Sequence, residues 1–172
     1  MSNTVISYSL TGNNRALADS VAKELSAEHI KIEEVKSRTM GSIVLDIIFN
    51  KIPMVRPLPD SSIKECDLIV LLGPVWMGKV ATPLRLYLKY LKTHPCSYAF
   101  ISISGGADGS NPGIAGELEK RTGRAPAVLL DLHITGLLPS NPRPTRKATS
   151  AYRLKPDDIV KLTGKIMTAL SP

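Results

Sequence analysis

Residues 67–78 read DLIVLLGPVWMG. The apolar run from Leu68 to Leu72 is unbroken, and a glycine and a proline end it. A half-exposed strand alternates apolar with polar residues. An uninterrupted run instead suits a strand covered on both faces, as in a parallel sheet. Asp67–Leu72 is therefore read as a central strand, followed by a loop, "GPVWMGKVATP".

Similar units lie on either side. Val5–Tyr8 reads as a short buried strand, and Arg15–Leu25 as a helix with Leu17, Val21 and Leu25 on one face. Ile30, Ile32 and Val35 alternate with charges, as in a half-buried strand. Met40–Phe49 reads as a helix, and "KIPMVRPLPD" as an extended connector because of its prolines. Downstream, Leu84–Leu91 is helical, Tyr98–Ile103 a strand, Ile114–Arg121 a helix stopped by Gly123, and Val128–Ile134 a strand. A long polar loop, "PSNPRPTRKATSAYRLKP", precedes a closing helix over Asp157–Leu170. Alternating strands and helices predict an α/β fold with a parallel sheet covered on both faces. Five strands fit a doubly wound sheet of order 2-1-3-4-5, which binds ligands beyond the strand carboxyl ends, at the switch between strands 1 and 3.

At 172 residues the chain, 1–172, is read as one domain, long enough to bury about 70% of its unfolded surface. With 43% hydrophobic and 22% charged residues, its composition suits a globular protein. It shows neither a transmembrane run nor a signal-peptide pattern, so a cytoplasmic location without membrane attachment is expected. Cys66 and Cys96 form no CxxC pair and are read as reduced, mostly buried thiols. His29, His94 and His133 are scattered and read as structural, so no metal site is expected. The net charge is +7, and residues 121–172 hold nine basic groups against three acidic ones. No nucleic-acid motif accompanies that charge, so no nucleic-acid partner is expected.

The first, third and fourth strands all end in loops rich in small polar residues. The first loop is Ser9, Leu10, Thr11, Gly12, Asn13 and Asn14. Gly12 lets backbone amides turn inward, and the following helix offers its positive end, which suits a phosphate. The alternative is a plain turn with an asparagine cap. The spacing fits neither a dinucleotide GxGxxG motif nor a nucleotide-triphosphate loop. The second loop, Pro74, Val75, Trp76, Met77 and Gly78, carries the only tryptophan, placed either to stack on a flat heterocycle or to cover a helix end. The third loop starts at Ser104, Gly105 and Gly106 and suits hydrogen bonding to a ring edge, or is a surface loop.

With these residues in place, "SLTGNN", "DLIVLLGPVWMGKVATPL" and "FISISGGADG" resemble the three FMN-binding loops of flavodoxin-like proteins, over most of the chain. Ser9, Thr11, Gly12 and Asn13 match the phosphate-loop pattern Ser/Thr-x-Thr-Gly-Asn-Thr. Asn14 replaces the final Thr and is expected to cap the helix and donate to the ligand. The resemblance implies that Pro74–Gly78 lines the flavin ring and that Ser104–Gly106 meets its pyrimidine edge. It implies an FMN-binding oxidoreductase, such as an NAD(P)H-dependent reductase of quinone-like acceptors. The other readings are an electron carrier and a flavin-free interaction module.

The chain departs from small electron carriers of this kind in being basic and in lacking an aromatic in its third loop. One flavin face is then left for a substrate or for a second subunit of a homodimer. A redox partner protein or a small-molecule electron acceptor is expected. Lys79 is expected near the ring, and the basic residues of 141–155 are either a solvated loop or a docking surface. No residue is assigned a catalytic role, since no acid–base or nucleophile pair is visible.

Overall fold

The fold is described from a computed structural model, covering residues 3–35, 39–63 and 67–171. In chain order the elements are β1 (Asn3–Ser7), α1 (Asn13–Glu24), β2 (Glu28–Lys31), β3 (Glu33–Glu34), α2 (Met40–Ile48), β4 (Val55–Arg56), α3 (Pro59–Ser62) and β5 (Leu68–Leu72). Then follow β6 (Val75–Trp76), β7 (Lys79–Val80), α4 (Arg85–Thr93), β8 (Ser97–Ser104), α5 (Ile114–Thr122), β9 (Val128–His133), α6 (Arg146–Ala151) and α7 (Pro156–Leu170).

The main sheet has five strands in the order β2-β1-β5-β8-β9, all parallel. Among its strands this is order 2-1-3-4-5, the expected doubly wound arrangement and that of flavodoxin-like folds. In register, Val5 faces Val70, Leu71 faces Phe100 and Ile101 faces Leu130. Side chains alternate between the two faces because the pleat has a period of two. Ile6, Ile69, Leu71, Tyr98 and Phe100 pack under α4 and α5, while Val5, Val70, Leu72, Ala99 and Ile101 pack under α1 and α7. Residues 69–72 are all essentially inaccessible, which is why that run shows no alternation in sequence.

Three local expectations need correction. The connector is not simply extended: Glu33–Glu34 and Val55–Arg56 pair as a small antiparallel sheet, so the strand expected to reach Val35 divides after Lys31. The loop after β5 contains a hairpin, β6–β7, whose turn residues Met77 and Gly78 both have positive φ (50° and 72°). A two-residue turn of this hand matches strand twist. The polar stretch before the last helix contains α6, capped by the Thr145 hydroxyl, which accepts from the Ala148 amide. Cys96 is half-buried and packs against the core under α4 and α5, and Cys66 lies outside the described residues.

Candidate functional site

The carboxyl ends of β1, β5 and β8 bring the three predicted loops to one edge of the sheet. The first loop connects β1 to α1. Its turn is made by Gly12, the helix N-cap, at φ 93° and ψ −23°. That left-handed conformation strains any residue with a Cβ. No atom lies within 4 Å of the position a Cβ would take, so the space over Gly12 is open. The Gly12 amide donates to the Ser9 hydroxyl at 3.0 Å. The amides of Asn13, Asn14 and Arg15 donate to no acceptor among the described residues, and the first helical turn holds no acidic side chain. Unsatisfied amides, a positive helix end and an open glycine turn make an environment that attracts an anion.

The two asparagines behave differently from the expectation. No side chain caps α1, and Asn13 and Asn14 are both buried. The Asn14 carboxamide accepts from the Ile103 amide at 3.0 Å and donates to the Ile103 carbonyl at 2.9 Å. It thus pairs with the end of β8 as a neighbouring strand would. The Asn13 side chain donates to the Tyr152 carbonyl at 2.9 Å and accepts from the Leu154 amide at 3.0 Å. Both side chains lock the loop in place. What they leave for a ligand is their backbone, together with the exposed Leu10 and Thr11 and the half-buried Ser9.

In the second loop Val75 is buried, Pro74 half-buried and Met77 exposed at the hairpin tip. Trp76 is half-buried, its ring edge-to-face with Tyr8 at 5.7 Å between centroids and an interplanar angle of 87°. Tyr8 donates its hydroxyl proton to Glu34. The indole is therefore supported from the end of β1, beside the start of the first loop. Gly78 also has open space where a Cβ would stand.

Lys79 does not stand free near this corner. Its ammonium lies 3.1 Å from the Glu117 carboxylate on α5, which also pairs with Arg121 at 2.8 Å. Any cation that Lys79 brings near the ring is thus shared with a buried carboxylate.

The third loop is fixed by the chain itself. Gly106, at φ 74°, passes so close to β9 that a Cβ there would lie 2.5 Å from the His133 Cβ. One on Gly105 would lie 2.9 Å from the Thr149 hydroxyl. Asp131 holds the loop's far end, accepting from the Ser102 hydroxyl (2.7 Å) and from the amide (3.1 Å) and side chain (3.0 Å) of Asn111, with His133 at 3.0 Å. Burial acts to raise the Asp131 pKa, but the bonds from Ser102 and Asn111 outweigh it and hold the carboxyl below its ordinary range. Arg146 binds Asp108 at 2.7 Å, and Arg143 donates to the Ala107 carbonyl. Two of the basic residues in 141–155 thus brace the third loop.

Sequence reasoning missed Asp131, although an acid inside the apolar run "VLLDLH" was a usable signal. It also missed a cationic groove between α4 and α5. Those charges are scattered along the chain and meet only once the helices pack. No group of three or more His, Cys, Asp or Glu side chains is arranged to hold a metal among the described residues. No described helix is long and apolar enough to cross a membrane.

The sheet order, the two helical layers and the three loops at the strand ends define a flavodoxin-like protein fold. The solved structures that share it include a flavoprotein in complex with FMN from Lactobacillus acidophilus NCFM. It is 19% identical, covers 76% of this chain and 92% of its own, and has a TM-score of 0.62. The apo form of the flavoprotein from the same organism aligns with a TM-score of 0.57 at 19% identity, over 78% of this chain and 94% of its own. A provisionally assigned flavoprotein from Bacteroides uniformis aligns with a TM-score of 0.67 at 15% identity, over 87% of this chain and 95% of its own. At these identities the likeness establishes the fold. No family model and no curated protein matches the sequence.

Proposed function

We propose that this chain is an FMN-binding oxidoreductase. The observation that carries the reading is the first loop: an uncapped helix N-terminus, free amides at Asn13, Asn14 and Arg15, and an open left-handed glycine between strands 1 and 3 of the sheet. The FMN complex of the L. acidophilus flavoprotein supports the same cofactor on the same fold. The residues present fit the group. The Ser9–Asn14 backbone and the Thr11 hydroxyl would hold the phosphate. Pro74, Val75, Trp76, Met77 and Gly78 would flank the ring, and Ser104–Gly106 its polar edge.

FMN, when bound, supplies reversible hydride and electron transfer, and the protein's part is to hold and tune it. Trp76, held edge-on by Tyr8, presents one aromatic wall. The third loop offers glycines and no second aromatic, leaving one side of the ring site to an acceptor. This favours a reductase that takes hydride from NAD(P)H and passes electrons to a quinone-like acceptor. The second reading, an electron carrier, is favoured by the cationic groove that reaches Lys79 in the same hairpin.

The test is a titration of the apoprotein with FMN. Saturable quenching of the emission of Trp76, the lone tryptophan, is the expected result. The absence of any saturable change in tryptophan or flavin fluorescence would overturn the cofactor assignment. With FMN bound, rapid oxidation of NADPH by a soluble quinone supports the reductase. Reduction only by a protein donor supports the carrier.

A further inference from the structure

A cavity of about 790 Å³ opens between α4, α5 and the end of α2. Six cationic side chains line it: Lys79, Arg85, Lys89, Lys92, Lys120 and Arg121. Glu117 is the only acid among its lining residues. Glu117 is buried and engaged by Lys79 and Arg121. Arg85 is also buried and donates to the Asp46 and Lys51 carbonyls, tying the end of α2 to the groove wall. Lys89, Lys92 and Lys120 are exposed and have no ion-pair or hydrogen-bond partner among the described residues. Cations gathered in a concave site focus their field and attract an anionic partner.

The rim beside the groove is apolar. On α2 and just beyond it, Val44, Leu45, Ile48 and Phe49 are exposed, the last two at 65% and 64%. Ile47 and Ile52 line the cavity, so the apolar strip continues into the charged groove. A contiguous apolar surface next to one sign of charge marks an interaction face.

A small anion would use the cations and leave the strip bare. A flat anionic bilayer would meet the strip and the exposed lysines but leave the cavity between α4 and α5 unfilled. A second copy of this chain, itself at net charge +7, is repelled by the groove. We propose that the groove and the α2 strip together form the docking site for an acidic protein that presents carboxylates beside apolar side chains. Docked there, it stands against Lys79, the residue paired across the hairpin with Trp76. The inference rests on charge, shape and apolar exposure and holds whether or not flavin is bound.

The test uses the full chain and a fluorescein-labelled amphipathic peptide with glutamates on one face and leucines on the other, read by anisotropy. The expected result is saturable binding that is lost in ~0.5 M salt and on Glu-to-Gln replacement in the peptide. Combined Lys89→Glu, Lys92→Glu and Lys120→Glu should weaken it on the order of tenfold or more. Leu45→Ser with Phe49→Ser should weaken it severalfold. Arg153→Glu with Lys147→Glu, on the other basic segment, should leave it nearly unchanged. Circular dichroism of each variant checks the fold. Three results would overturn the proposal. Full competition by inorganic pyrophosphate with no effect of the α2 variant assigns a small-anion site. Cosedimentation with phosphatidylserine vesicles that depends on Leu45 and Phe49, without peptide binding, assigns a membrane surface. Equal losses from both basic segments mean nonspecific attraction.

Discussion

Asn14 shows how a single residue can serve a purpose its motif does not announce. By resemblance it stands at the final threonine of the phosphate-loop pattern, and Asn14→Thr would then leave FMN binding unchanged or tighten it. In the fold its carboxamide completes both bonds of the Ile103 peptide group inside the core edge. A threonine is too short to replace the pair. Leaving a buried amide and carbonyl unsatisfied costs about 1–3 kcal/mol. Asn14→Thr is therefore expected to lower the unfolding free energy, measured by urea titration, by that amount, whereas Thr11→Ala, at an exposed position, should leave stability within about 0.5 kcal/mol. Gly106 makes a second case. Its positive φ and the approach of His133 mean that Gly106→Ala should destabilise the protein and displace the third loop. Chemical-shift changes at His133 and Thr135 would report this; an unperturbed spectrum would contradict the packing.

At the scale of elements, the sequence was legible wherever burial or a turn leaves a local mark. The β5 run, the α1 stripe and the Gly123 stop of α5 are local signals, and the structure has them. The β3–β4 pair and the β6–β7 hairpin are only two residues per strand, too short for any period to register. The partners of Asn13 and the grouping of Lys89 with Lys120 depend on which helices pack, and no local pattern encodes that. Within the candidate site the loops could be read from glycine and hydroxyl content. The direction of each side chain could not.

The same scale holds a pH response. His29, beside β1, accepts a proton bond from the Ser7 hydroxyl at 2.8 Å and faces the Asp19 carboxylate at 2.8 Å. A neutral imidazole with its proton on Nδ1 satisfies both. Burial pushes its pKa down, and this outweighs the opposing pull of Asp19. Asp19 itself is raised by burial but held low overall by its bonds from Lys31 and His29. The folded His29 thus binds a proton less readily than the unfolded one, whose pKa is about 6.5. Its contribution is present above that value and lost as pH falls through the lower folded pKa. Stability should decline from about pH 6.5 downward, ahead of any loss from carboxylate protonation. His29→Gln should flatten that part of the curve, as measured by urea unfolding at several pH values. An unchanged slope would mean that another group titrates. Arg85 gives a mechanical counterpart. Arg85→Met removes the bonds to Asp46 and Lys51, and amide exchange along 44–51 should rise more than exchange in β5.

Across the whole molecule, charge is sorted by location and by job. The excess in the last third of the sequence brings Arg143 and Arg146 to brace a loop and Arg153 to bond its neighbouring carbonyls. Five of the six cations lining the groove come instead from residues 79–120. Arg146→Ala should therefore loosen the third loop, seen as faster exchange at 106–109, and change global stability little. If exchange there is unaltered, the Asp108 contact is not what holds the loop.

The grip of Asn13 on Tyr152 and Leu154 ties residues about 140 positions apart. A chain leaving the ribosome is made from its amino end. The first loop is therefore synthesised early but stays without its lock until residue 154 has emerged. The lock closes only after the fifth strand has been made, so a chain cut before Tyr152 would keep the loop's sequence and lose what holds its shape.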